Sequence, residues 1–181
     1  ARPKRPRLLP ENGCAARSRA CRKERFYMKM IQVQKLTQEA FAPFGEVLTT
    51  EGREAGGNPA SHLWYPQAVV IDGPTSINLM RVLPHDFILK DFEAHDHTTE
   101  NLIAMDGDLI VGMAPAGALE ADNVKAFYIP CGLGISLKPS VWHAVPFAVG
   151  KEVMSVCIFR NNTSHDDIYF DSLQEELGLM L

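Results

Sequence analysis

Cysteine is scarce and unpatterned. The 181 residues hold only Cys14, Cys21, Cys131 and Cys157, with no CxxC spacing, so reduced thiols in a reducing compartment are expected rather than a disulfide framework. Long hydrophobic runs are missing too. Nothing approaches the ~20 consecutive apolar residues that cross a bilayer as a helix, and the amino terminus carries Arg and Lys where a signal peptide carries an apolar core. These absences argue against a membrane helix and against secretion, and the expected address is the cytoplasm. Internal repeats and low-complexity segments are also lacking. What is present is a globular composition, 46% apolar, in a chain long enough for one domain to bury a core without disulfides or metal.

Charge is unevenly spread. Residues 1–27 carry nine Lys or Arg against two Glu, a balance of +7 that leaves −11 on the rest of a chain whose total is −4. A basic arm attracts phosphate in principle, but this one has almost no aromatic residues and no helical or strand period. The run Arg22-Lys23-Glu24-Arg25 can be encoded by purines alone, like a ribosome-binding site, and Met28 and Met30 follow it. The expectation is therefore a basic arm over residues 1–29, read as a translated leader or a disordered tether, before one domain over residues 30–181. Nucleic acid is not an expected partner of the acidic remainder.

From Met30 the pattern is mostly β. Ile31 to Gln34 alternates like a half-buried strand, and Thr37-Gln38-Glu39-Ala40-Phe41 reads as a short capped helix ending near Gly45. Short β-like runs follow: Ala68 to Ile71, Ile77 to Leu83, Phe87 to Leu89, Leu102 to Met105, Leu109 to Met113, Lys125 to Ile129, Gly134 to Leu137 and Val153 to Phe159. Turn residues separate them, among them Asp72-Gly73-Pro74 and Asp106-Gly107. Many short strands at near-regular spacing predict a mainly β sandwich or barrel. Asp106-Gly107 reads as a hairpin turn. Ser172 to Leu177 reads as a terminal helix, with Ser172 and Glu175 forming a capping box.

The chemistry concentrates in Glu93-Ala94-His95-Asp96-His97-Thr98-Thr99-Glu100 and in Gly134 to Pro146, which contains Pro139-Ser140-Val141-Trp142-His143. Two histidines two apart on a strand share a face and can converge on one cation. Glu100 joins them if Thr98-Thr99 bends and Glu100 opens the next strand. His143 supplies a third imidazole from a later strand. The set His95, His97, Glu100 and His143 suits one divalent metal such as Zn, Mn, Fe or Ni. The plainer alternative for His95 and His97 is a pair of exposed strand-end histidines; His62, His85 and His165 are read as surface or hydrogen-bonded residues, and Cys131 and Cys157 as inert thiols. Arg81 and Arg160 lie in otherwise apolar strands, so a carboxylate or an anionic substrate should face each.

The two segments resemble the paired cupin motifs, His-x-His with a following Glu, then Gly, Pro and a lone His. With Gln38 to Val47, Ser76 to Arg81, Val124 to Phe127, Val141 to Pro146 and Phe159-Arg160, they resemble the ureidoglycolate lyase family from Met30 to the end. Glu100 stands where that family carries Gln, Asp96 where a proline is common, and Ala144 where a second histidine is found. The resemblance implies a single RmlC-type jelly-roll barrel with a few short helices, and cleavage of ureidoglycolate, a small anionic substrate, to glyoxylate and urea in purine or allantoin breakdown. It implies His143 as base, Glu93 or His95 as acid, and Arg81, Arg160 and Trp142 as substrate contacts. By analogy with cupins it also implies a homodimer. Two competing readings are another metal-dependent cupin, an isomerase or dioxygenase of small acids or sugars, and a ligand-binding cupin without turnover.

Overall fold

The computed structural model describes residues 28–181. The basic arm lies outside the described residues except for Met28 and Lys29, and Lys29 already belongs to the first strand. In chain order the strands are β1 (Lys29–Lys35), β2 (Gly45–Leu48), β3 (Gly56–Asn58), β4 (His62–Trp64), β5 (Thr75–Val82), β6 (Ile88–Ala94), β7 (Glu100–Ala104), β8 (Leu109–Ala114), β9 (Lys125–Ile129), β10 (Gly134–Leu137), β11 (Trp142–His143), β12 (Phe147–Ala148), β13 (Val153–Arg160) and β14 (Tyr169–Met180). Two four-residue helices, α1 (Gln38–Phe41) and α2 (Thr163–Asp166), and one 3-10 turn complete the described elements. Thr37 caps α1 as its sequence predicts, its side-chain oxygen accepting from the Ala40 N–H at 3.2 Å.

The strands form a mainly β barrel of two facing sheets. One sheet runs β11-β6-β14-β1-β9-β8-β12 and closes on itself, because β11 pairs with both β6 and β8. The other runs β2-β10-β7-β13-β5. Between them lies a core in which Phe41 and Phe127 meet edge to face at 5.3 Å, with Phe44 beside them. A second cluster around Leu89, Phe92, Ile110 and Phe147 is also buried. Each such side chain, removed from water, contributes roughly 1.5–3 kcal/mol, which is why the alternating apolar residues decide which face each strand turns inward.

Three sequence expectations are corrected. Asp106-Gly107 does not close a hairpin: β7 pairs with β10 and β13, whereas β8 pairs with β9, β11 and β12, so the turn passes the chain from one sheet to the other. Ser172 to Leu177 is strand, not helix. Leu173 and Leu177, four apart, share a face in either conformation, and pairing of β14 with β6 and β1 selects the extended one. Ala68 to Ile71 forms no strand and lies in the connection before β5.

Candidate active site

Four side chains meet between the sheets. Strand β6 brings Glu93, and its cross-strand partner on β11 is His143. Residue His95 follows immediately after β6 ends, in the connection that carries the chain across to the second sheet, and Glu100 opens β7 there as its spacing predicts. One ligand atom from each of Glu93, His95, Glu100 and His143 lies within 4.8 Å of all the others. His95, Glu100 and His143 are buried, and the Glu93 side chain is 26% exposed, so it forms the open edge of the group.

The imidazoles are oriented from behind. His95 Nδ1 lies 2.7 Å from the Asp167 carbonyl and His143 Nδ1 lies 3.0 Å from the Val141 carbonyl. A carbonyl only accepts, so both Nδ1 atoms carry hydrogen and both Nε2 atoms face inward. There Glu100 Oε2 is 2.9 Å from His95 Nε2 and 3.1 Å from His143 Nε2, and Glu93 Oε1 is 3.5 Å from the latter. None of these oxygens is aligned with His143 Nε2, which is buried without a directed hydrogen bond. Its attraction to the carboxylates is electrostatic. The other oxygen of Glu100 accepts from the Cys157 thiol at 3.0 Å.

The electrostatics call for a positive charge at this point. Burial alone would push Glu100 up and His143 down, but they face each other: the carboxyl of Glu100 is held well below the usual range by His143 first, and His143 is pushed up to about 10 by Glu100 and then Glu93. His95 also rises, against the cost of its burial, through Glu100 and the Asp167 carbonyl. Burial and the same carboxylate push the Cys157 thiol up, so it stays a neutral donor. The positive charge comes from protons on the imidazoles or from a cation. Two inward Nε2 atoms, one ionised carboxylate, hydrogen bonds fixing both outer nitrogens, and an unaligned buried nitrogen together fit a divalent transition metal.

Other predicted site residues lie elsewhere. His97 is not in this group: β6 stops at Ala94, the chain bends at Asp96, and the His97 ring, 69% exposed, turns outward with Nδ1 2.9 Å from Asp167 Oδ1. Arg81 faces solvent on the outer side of β5 with Ile77 and Leu79, its nearest carboxylate being Glu152 at 4.0 Å. Arg160 does meet carboxylates, those of Asp166 and, at 3.8 Å, Asp167. Trp142 points to the opposite face from His143 and donates its indole N–H to the Gly117 carbonyl at 2.8 Å.

Three contributors were not foreseen as part of the site. Cys157 sits beneath Glu100, and Asp167 sits behind His95. Ser140 adopts a left-handed conformation (φ 65°); it donates its N–H to the His95 carbonyl and its hydroxyl to Asp96 Oδ1, each at 2.6 Å.

The sequence profile described as ureidoglycolate lyase matches residues 28–178. The chain belongs to the ureidoglycolate lyase family. It is 31% identical over 161 residues to a ureidoglycolate lyase of Burkholderia mallei (strain NCTC 10229), covering 84% of this chain and 94% of that one. It is 27% identical over 159 residues to one of Pseudomonas savastanoi pv. phaseolicola, covering 81% and 94%. Among solved structures it is similar to a sugar 3,4-ketoisomerase from Thermoanaerobacterium thermosaccharolyticum (TM-score 0.46, 12% identity, 68% of this chain and 84% of that one). This member of the lyase family is an enzyme whose glutamate–histidine group occupies the seam between its sheets.

Proposed function

We propose that this enzyme cleaves ureidoglycolate to glyoxylate and urea, with His95, Glu100 and His143 holding one divalent metal ion and Glu93 moving the proton. The observation that carries the reading is the convergence of these four side chains in a chain of the lyase family. In the reaction the carbinol oxygen gives up its proton and becomes the glyoxylate carbonyl as the carbon–nitrogen bond breaks; the departing urea nitrogen keeps the bonding pair and takes up a proton. A bound metal supplies positive charge for the substrate's carboxylate and hydroxyl and makes that hydroxyl more acidic.

His143 as a free base is replaced in this scheme. Its Nε2 is committed to the negative centre and, without metal, keeps its proton far above neutrality. Glu93 is the most exposed member of the group, so it receives the carbinol proton and returns it to the urea nitrogen. Incubating the purified protein with ureidoglycolate while following urea, with and without a chelator, tests substrate and metal together. Urea release abolished by chelation and restored by a divalent metal is expected; release indifferent to complete metal removal sinks the metal role, and none under any metal sinks the substrate.

We further propose a cytoplasmic homodimer. The address is supported by Cys131 and Cys157, both free thiols. The dimer is supported by β5, an edge strand whose outer face leaves Ile77 and Leu79 73% and 74% exposed. A two-fold axis through Asn78 would set Ile77 opposite the other copy's Leu79 and join the edges. Light scattering is expected to give a dimer mass that becomes monomeric in Leu79→Asp; a wild-type monomer at high protein concentration removes the proposal.

A further inference from the structure

The corner that carries His95 is held by a carboxylate distant in sequence. Asp167 follows α2, its side chain has no solvent exposure, and it receives four hydrogen bonds from the β6–β7 connection. Its Oδ1 accepts the Asp96 N–H at 3.0 Å and faces His97 Nδ1 at 2.9 Å; Oδ2 accepts the His97 N–H at 3.0 Å. The fourth bond reaches its backbone carbonyl, from His95 Nδ1. A buried carboxylate is costly unless its lone pairs are used, and here they are used almost entirely on the two residues after His95. The Asp96 N–H bond is one that the proline common at this position in the family cannot make.

We infer that Asp167 is a positioning residue for the proposed metal centre: by clamping Asp96 and His97 it ends β6 after Ala94, turns His97 outward, and aims His95 Nε2 at Glu100. The inference rests on the metal reading for its consequence but not for its geometry. Without the clamp nothing holds Asp96 and His97 off the β6 alternation, and the Asp167 carbonyl is no longer fixed against His95 Nδ1. Ser140 supports the same corner through the His95 carbonyl and Asp96, so losing the Asp167 side chain is expected to shift the corner rather than unfold it.

The experiment pairs Mn²⁺ titration calorimetry with proton NMR of the histidine side chains. In Asp167→Asn one acceptor oxygen becomes a donor, so the three side-chain bonds cannot all survive. Mn²⁺ affinity is expected to fall about 10- to 100-fold, and the His95 Nδ1 proton, slow to exchange with water in the metal-free wild type, is expected to exchange quickly. His97→Ala, which leaves both backbone N–H bonds in place, should change Mn²⁺ affinity less than Asp167→Asn. A lowered Tm with unchanged Mn²⁺ affinity would mean a structural role alone and overturn the inference. If Asp167→Asn does not fold, a metal-free wild type lacking a protected His95 Nδ1 proton overturns it as well. Wild-type protein that binds no Mn²⁺ defeats the metal reading instead, and the protected proton in wild type and variant then decides the role of Asp167.

Discussion

His143→Ala is expected to release urea from ureidoglycolate only at the background rate and to bind no stoichiometric metal. His143 supplies one of two inward Nε2 atoms, and Glu100 and Glu93 both face it. Its removal leaves Glu100 buried with His95 and the Cys157 thiol as partners. Removing one member of a buried charge pair costs roughly 3–5 kcal/mol, so circular dichroism must accompany the assay. A pH scan of the metal-free proteins gives a second readout. Because the folded-state value of His143 lies above its ordinary 6.5, at about 10, its contribution is complete below 6.5, declines above it and is lost as pH rises through about 10. The wild-type Tm should therefore fall across that window, and the His143→Ala Tm should lack this part of the slope. Metal content and urea release near wild-type levels in the variant would eliminate His143 from the site.

Glu93→Gln is expected to separate turnover from binding. The glutamine keeps the size of the side chain and an oxygen near His143 but cannot carry a proton. With the buried trio intact, metal content should stay near one per chain and kcat should drop by roughly 10²- to 10⁴-fold, the usual span for a positioned acid–base group. Since Glu93 is partly exposed and lies at the edge of the group, a large loss of stability is not expected. If the variant instead loses its metal while retaining turnover on reconstitution, Glu93 is a ligand and not the proton carrier.

Much of the barrel was legible because burial is periodic: the runs that became β5, β7, β8, β9, β10 and β13 alternate or stay apolar as a pleated strand requires. Motif order also located His95, Glu100 and His143, since each stands beside a turn or strand start that local residues specify. The failures share a cause. His97 was assigned by continuing the β6 alternation, and what stops β6 is Asp167, some seventy residues away. Leu173 and Leu177 fit helix and strand alike, and only the pairing partners decide. Arg81 looked buried because Ile77 and Leu79 looked buried, yet all three lie on the outer face of an edge strand. Glu93 was identified from its neighbours, but its role at the open edge depends on pairing with His143.

The chain crosses from the closed sheet to the facing sheet between β6 and β7, and the reactive group straddles that crossing: Glu93 and His143 on one side, Glu100 and Cys157 on the other, His95 on the bridge. The active centre is therefore also a gauge of how the two layers are seated. Any substitution that shifts one sheet against the other, even in the distant phenylalanine cluster, alters the spacing of the reacting atoms. An ion bound across the seam, as proposed, would act as a rivet and link ligation thermodynamically to global unfolding.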